Sequence, residues 1–99
     1  MEAKKFLKSM GLERITFGDL LRSIRMRDDL TQVEMAEILG ISKEKLCDLE
    51  KGRRHVSLLK AIEFAKALED SPDYFIKVVI DDQLSHAGLE LEVELKSVG

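Results

Sequence analysis

LTQVEMAEILGISKEKLCDLEKGRR, residues 30–54, is the stretch on which the fold turns. Two short helical patterns lie in it, each opened by a hydroxyl residue (Thr31, Ser42) and closed by a glycine (Gly40, Gly52). Thr31 with Glu34 makes the T-x-x-E pattern of a capping box, in which side chain and backbone satisfy each other's unpaired groups. Met35, Ala36 and Leu39 then share one side of a helix. Gly40 offers the left-handed conformation that a sharp reversal needs. Only Ile41 separates it from Ser42, so the two helices are expected to cross steeply on a tight turn, with Ile41 plugging the gap. Helices this short do not persist alone in water, because helix nucleation is costly. The surface they pack on must come from the rest of the chain.

Upstream, Thr16 opens TFGDLLRSIRMRDD, with Asp19 at the positive helix end and Leu20, Leu21 and Ile24 on one face. Downstream, Ser57 caps LLKAIEFAKALE, where Leu58, Ile62, Ala65 and Leu68 are read as inward. Ser71 followed by Pro72 is a cap with proline at the first helical position, and predicts a helix over 72–84 with Phe75, Ile76, Val79 and Ile80 as its apolar stripe. Met10, Met26 and Met35 read as core or gap-filling residues. The expected organisation is an N-terminal arm over residues 1–15, carrying Phe6 and Leu7 on a short helix, a helical domain over 16–84 and a C-terminal tail over 85–99. In that tail LELEVELK alternates strictly, which predicts a strand over 89–95. A lone apolar strand seeks a partner, so the expectation is a homodimer formed through the last helix and this strand; a strand folded back on its own helices is the alternative.

Composition bounds the rest. Ninety-nine residues with one proline and six glycines suit one small helical domain. The net charge of −3 argues against a general affinity for polyanions. Its distribution matters more: residues 1–54 hold 12 Lys and Arg against 10 Asp and Glu, and residues 55–99 hold 4 against 9. A mildly basic front is joined to an acidic rear. The one cysteine, Cys47, excludes an intrachain disulfide, and the two histidines, His55 and His86, lie in no metal-ligand spacing, so neither metal nor cofactor is expected. Ser42 and Ser57 have no His at helical spacing, and Cys47 and His55 lack a third group to orient the base, which argues against an enzyme. Without an export signal or an apolar run of membrane length, a cytoplasmic protein that avoids membranes is expected.

The helix over 43–51 has two different sides. At about 100° per residue, Leu46 and Leu49 point one way, while Glu44, Cys47, Asp48 and Lys51 point the other with Lys43 on their shoulder. Lys45 lies to the other flank. An exposed polar face on the second helix of a tight helix-turn-helix fits a DNA major groove. Gln32 starts the preceding helix, where backbone N–H groups and the helix dipole favour an anion. Lys51, Arg53 and Arg54 surround Gly52, at which backbone can approach a phosphate closely.

These segments resemble the Cro/C1-type, or xenobiotic-response-element, family of helix-turn-helix regulators. The resemblance covers about residues 20 to 70 through LLRSIR, LTQVEMAEILGIS, LCDLEKGRR and SLLKAIEFAKALE. It implies an all-α, five-helix fold like that of lambda repressor, and a sequence-specific regulator, a repressor, on a double-stranded DNA operator. It also implies base reading by Lys43, Glu44 and Asp48, joined by Cys47 on the same face. Phosphate contact is implied for Gln32, with Lys45, Lys51, Gly52, Arg53 and Arg54 beside the backbone. Arg25 and Glu50 match the family's structural ion pair, and Glu50, about 70° from the core direction, needs a partner for a partly desolvated charge. Glu44 and Asp48 depart from a purely cationic face; Lys51 could pair with Asp48 and offset part of the repulsion. The short arm and the alternating tail are similar to antitoxins of the HigA kind, which repress their own operon and sequester a ribosome-dependent RNase toxin. On that resemblance a small basic toxin is a candidate partner. The competing expectation is a protein-interaction module on the same scaffold that does not touch DNA.

Overall fold

A hydroxyl residue opens each of five helices in the computed structural model, which describes residues 15–87. They are α1 (Phe17–Arg27), α2 (Gln32–Leu39), α3 (Lys43–Glu50), α4 (Leu58–Ala67) and α5 (Pro72–His86). Thr16, Thr31, Ser42, Ser57 and Ser71 accept from the backbone N–H three residues on, at 3.0, 3.1, 3.1, 3.1 and 3.3 Å. Two of these caps are reciprocal. Thr16 N–H donates to Asp19 Oδ2 at 3.2 Å, and Thr31 N–H donates to Glu34 Oε1 at 2.9 Å. Those bonds from the Thr31 backbone and hydroxyl hold the Glu34 carboxyl below the usual glutamate range. The cap therefore supports α2 at neutral pH and loses that support as pH falls through the lowered pKa.

Four helices end by one device. After α2 and α3, Gly40 (φ 70°) and Gly52 (φ 74°) take the left-handed conformation. After α1 and α4 the same position is held by Asp29 and Glu69, both at φ 55°. In each case two backbone bonds close the turn. Ile41 N–H donates to Ala36 O at 3.0 Å, Arg53 to Asp48 O at 2.9 Å, Leu30 to Arg25 O at 2.8 Å and Asp70 to Ala65 O at 2.8 Å. The left-handed residue itself bonds three residues back. This is the Schellman pattern, and it satisfies carbonyls that a helix end otherwise leaves unpaired.

The chain divides between His55 and Val56 into two compact units. In the first, α3 packs against both α1 and α2. Phe17, Leu20, Leu21, Ile24, Met35, Ala36, Leu39, Leu46 and Leu49 are buried there. In the second, α4 packs against α5, with Ala61, Phe64, Ala65, Phe75, Val78 and Val79 buried. No helix among the described residues is long and apolar enough to cross a membrane.

The structure corrects the sequence reading in several places. The described residues are all helix and connection, without a strand, so the fold class is all-α and the β element is dropped. The segment 89–95 and all of the arm but its last residue (residues 1–14 of 1–15) lie outside the described residues. The alternation of LELEVELK is a local signal, whereas a strand needs a neighbour to complete its hydrogen bonds, and the described chain offers none. Helix α5 also runs on to His86, beyond the expected end at 84. Second, the buried stripes of α4 and α5 are turned from the expected phase. Ala61 and Phe64 take the inner positions of α4, leaving Leu58 42% exposed, and Val78 replaces Ile76 and Ile80 in α5. Both helices carry apolar residues around much of their circumference, so the bulk of Phe64 and Phe75 decides which side is covered. Third, Met26 is no gap filler: it is 66% exposed.

Glu69 has a Cβ in a conformation that disfavours one by about 1–2 kcal/mol. Glu69→Gly relieves that strain and gives back up to about 1 kcal/mol in unfolded-chain entropy. The variant is expected to gain roughly 0.5 kcal/mol in urea unfolding, from those two terms. A loss of stability would contradict this account of the α4 terminus.

Candidate nucleic-acid interface

Glu50, in the last turn of α3, is 5% exposed and is the buried charged residue among those described. A carboxylate taken out of water needs both a counter-charge and hydrogen bonds. Arg25 of α1 supplies both: its Nε donates to Glu50 Oε2 at 2.9 Å and its Nη2 to Oε1 at 3.0 Å. The planar guanidinium is the group that matches a carboxylate in this two-pronged way. Its remaining nitrogen, Nη1, donates to Leu30 O at 3.3 Å, so one arginine ties α1 to both the α1–α2 connection and α3. Gln32 adds a third donor, Nε2 lying 3.4 Å from Glu50 Oε1. Arg22 reaches the Glu50 carbonyl at 3.5 Å while lying 3.8 Å from Asp19.

Gly18 lets these helices come so close. A Cβ there would sit 2.3 Å from the Leu49 carbonyl oxygen and 2.6 Å from that of Glu50. The first turn of α1 thus lies directly on the last turn of α3, at backbone distance. Together with Leu46 and Leu49, 0% and 1% exposed, this fixes which side of α3 faces inward.

The other side is left to solvent. Lys43 and Glu44 are exposed, and Lys45, Cys47 and Asp48 are half-buried. Lys51, Gly52, Arg53 and Arg54 follow, all exposed, on the turn built by Gly52. Arg54 Nη2 lies 4.0 Å from Asp48 Oδ2, the side chains being 52% and 37% exposed. The cation set against Asp48 is therefore Arg54, from the turn after the helix, rather than Lys51 from the same helix. Such a pair holds little energy, about 0–1 kcal/mol, but it biases where Arg54 rests. Gln32 is half-buried at the amino end of α2, between the Glu50 carboxylate and the surface. Cys47 is a free thiol.

A family model described as a helix-turn-helix domain matches residues 16–73. The chain belongs to the Cro/C1-type helix-turn-helix family. Among helix-turn-helix relatives, an HTH-type transcriptional regulatory protein of Thermococcus kodakarensis is 32% identical over 66 residues, which is 67% of this chain and 21% of that protein. An HTH-type transcriptional regulator of Methanothermobacter thermautotrophicus is 42% identical over 59 residues, 58% of this chain and 86% of that one. The chain thus spans about a fifth of the first relative's length and most of the second's. Among solved structures, the restriction-modification controller protein C.AhdI from Aeromonas hydrophila is similar, with a TM-score of 0.54 and 32% identity over 60% of this chain and 89% of that one.

Two residues of this helix-turn-helix frame escape the sequence reading, Gly18 and Arg22. A signal for Gly18 was available: glycine inside a helix costs about 1 kcal/mol relative to alanine, which asks for a reason. The reason lies 31 residues away in sequence, at Leu49. This contact sets the sign of a substitution. On helix propensity alone Gly18→Ala would stabilise by about 1 kcal/mol, yet its methyl meets backbone that has no rotamer to yield. Net destabilisation of about 1–3 kcal/mol, the usual cost of overpacking, is expected in urea unfolding. A variant as stable as the parent would refute the close approach.

Proposed function

We propose that this protein is a sequence-specific DNA-binding transcriptional regulator, a repressor, that reads its operator with α3. The observation that carries the reading is the two-sidedness of that helix. Leu46, Leu49 and Glu50 are buried against α1 and α2, and Lys43, Glu44, Cys47 and Asp48 are left outward on a helix short enough to lie in a major groove. In this reading Lys43 donates to guanine O6 and N7, and Glu44 and Asp48 accept from cytosine N4. Gln32, Lys45, Lys51, Gly52, Arg53 and Arg54 meet the backbone and set register without reading sequence. The likeness to a controller protein of a restriction-modification system supports the regulator class.

One helix with four outward side chains meets too few base pairs to find a single site among the many competing ones in a genome. Two copies on a near-palindromic site, with half-sites about 34 Å apart, solve that problem. The antitoxin role proposed on resemblance has no feature of the described residues behind it, and the plain regulator is preferred. A module that binds only protein would leave the outward face of α3 without salt-dependent affinity for any duplex.

A duplex enriched from a randomised pool provides the assay. Lys43→Ala should lose about 1–3 kcal/mol of discrimination at one base pair of each half-site while binding random duplex as before. Arg53→Ala should weaken all duplexes alike and lower the salt slope by about one. Equal losses on enriched and random DNA from Lys43→Ala would remove α3 from the reading role.

A further inference from the structure

The Gln32 side chain lies between a buried anion and the proposed path of another. Its Nε2 lies 3.4 Å from Glu50 Oε1, the oxygen that also accepts from Arg25 Nη2 at 3.0 Å. An ionised carboxylate only accepts, so it selects the nitrogen end of the amide and disfavours the flipped arrangement. That nitrogen carries two hydrogens. One is directed to Glu50, and the second has no acceptor among the described residues. A phosphate is likewise acceptor-only, and would be repelled by the amide oxygen.

We infer that Glu50 is a positioning residue for DNA-backbone contact: its carboxylate, held by Arg25, orients the Gln32 amide so that an N–H is presented to a phosphate at the amino end of α2. The inference rests on the DNA-binding reading above. It gives Glu50 two duties, one for the fold through Arg25 and one for the ligand through Gln32. Since Gln32 is neutral, its contact releases no counterion, so its loss lowers affinity without changing the salt slope. That separates it from Arg53.

The test is a double-mutant cycle of Gln32→Ala and Glu50→Gln on the duplex enriched from a randomised pool. Circular dichroism defines a temperature at which all four proteins are folded. Glu50→Gln keeps the size of the side chain and an oxygen for Arg25, but presents an amide that can offer either end to Gln32. Each single variant should bind about tenfold more weakly, the change that one hydrogen bond to a charged group carries. The two losses should be clearly sub-additive, the double variant falling well short of their sum, and Gln32→Ala should keep the salt slope of the parent. Losses that simply add, or a Gln32→Ala protein that binds like the parent, would overturn the positioning role and leave the DNA reading standing. Failure to enrich any duplex would sink that reading and the inference with it. A measurement on the unaltered protein guards against an unfolded variant. The Gln32 side-chain NH2 should exchange with solvent several-fold more slowly than that of the exposed Gln83 on α5, and equal rates would overturn the tether.

Discussion

One buried carboxylate organises the first unit. Glu50 loses its water at the end of α3, and no packing of leucines compensates for that. Arg25 must come to it, and in coming fixes α1 against α3 through two parallel bonds. Gly18 makes the approach possible by leaving out a methyl that would strike the Leu49 and Glu50 carbonyls. An ion pair of this kind is weak evidence of net stability, since an apolar substitute could pack as well. Its contribution is angular: a bidentate fork tolerates one orientation of α3 about its own axis, where apolar packing tolerates several. The orientation chosen keeps Lys43, Glu44 and Asp48 outward.

The electrostatics follow from this arrangement. The protein carries a net charge of −3, yet the turn after α3 gathers Lys51, Arg53 and Arg54 around Gly52. Glu50 is close to neutralised by Arg25, which leaves Glu44 and Asp48 as the anions of the outward face of α3. Arg54 stands near Asp48. In the proposed reading, such a face contributes modest, salt-dependent phosphate affinity, while its mixed signs favour discrimination among base edges.

What the sequence displayed was mostly local chemistry. Hydroxyls at 16, 31, 42, 57 and 71 announced five helix starts, because a cap and its N–H lie three residues apart. Gly40 and Gly52 announced two of the stops. Asp29 and Glu69 did not, since there the left-handed turn is imposed on residues that do not ask for it. Apolar stripes were readable in α1, α2 and α3, where polar residues mark the outer side clearly. In α4, Leu58, Leu59, Ala61, Ile62, Phe64, Ala65 and Leu68 leave several phases open, and only packing chooses among them. The Gly18 contact and the Gln32–Glu50 bond join residues 31 and 18 positions apart, beyond any periodic pattern. Alternation in LELEVELK showed a period, and period alone does not make a sheet, which also needs a pairing neighbour.

The central claim is that the outward side of α3, with the amino end of α2, is the surface a duplex covers. Backbone amide NMR during titration with the enriched duplex tests it most directly. The account predicts the largest shifts at Gln32, along residues 43–48 and through 51–54, with small changes at Glu69 and along α5 from Asp73 to Lys77. Shifts centred on α5, with residues 43–54 unmoved at saturation, would contradict it.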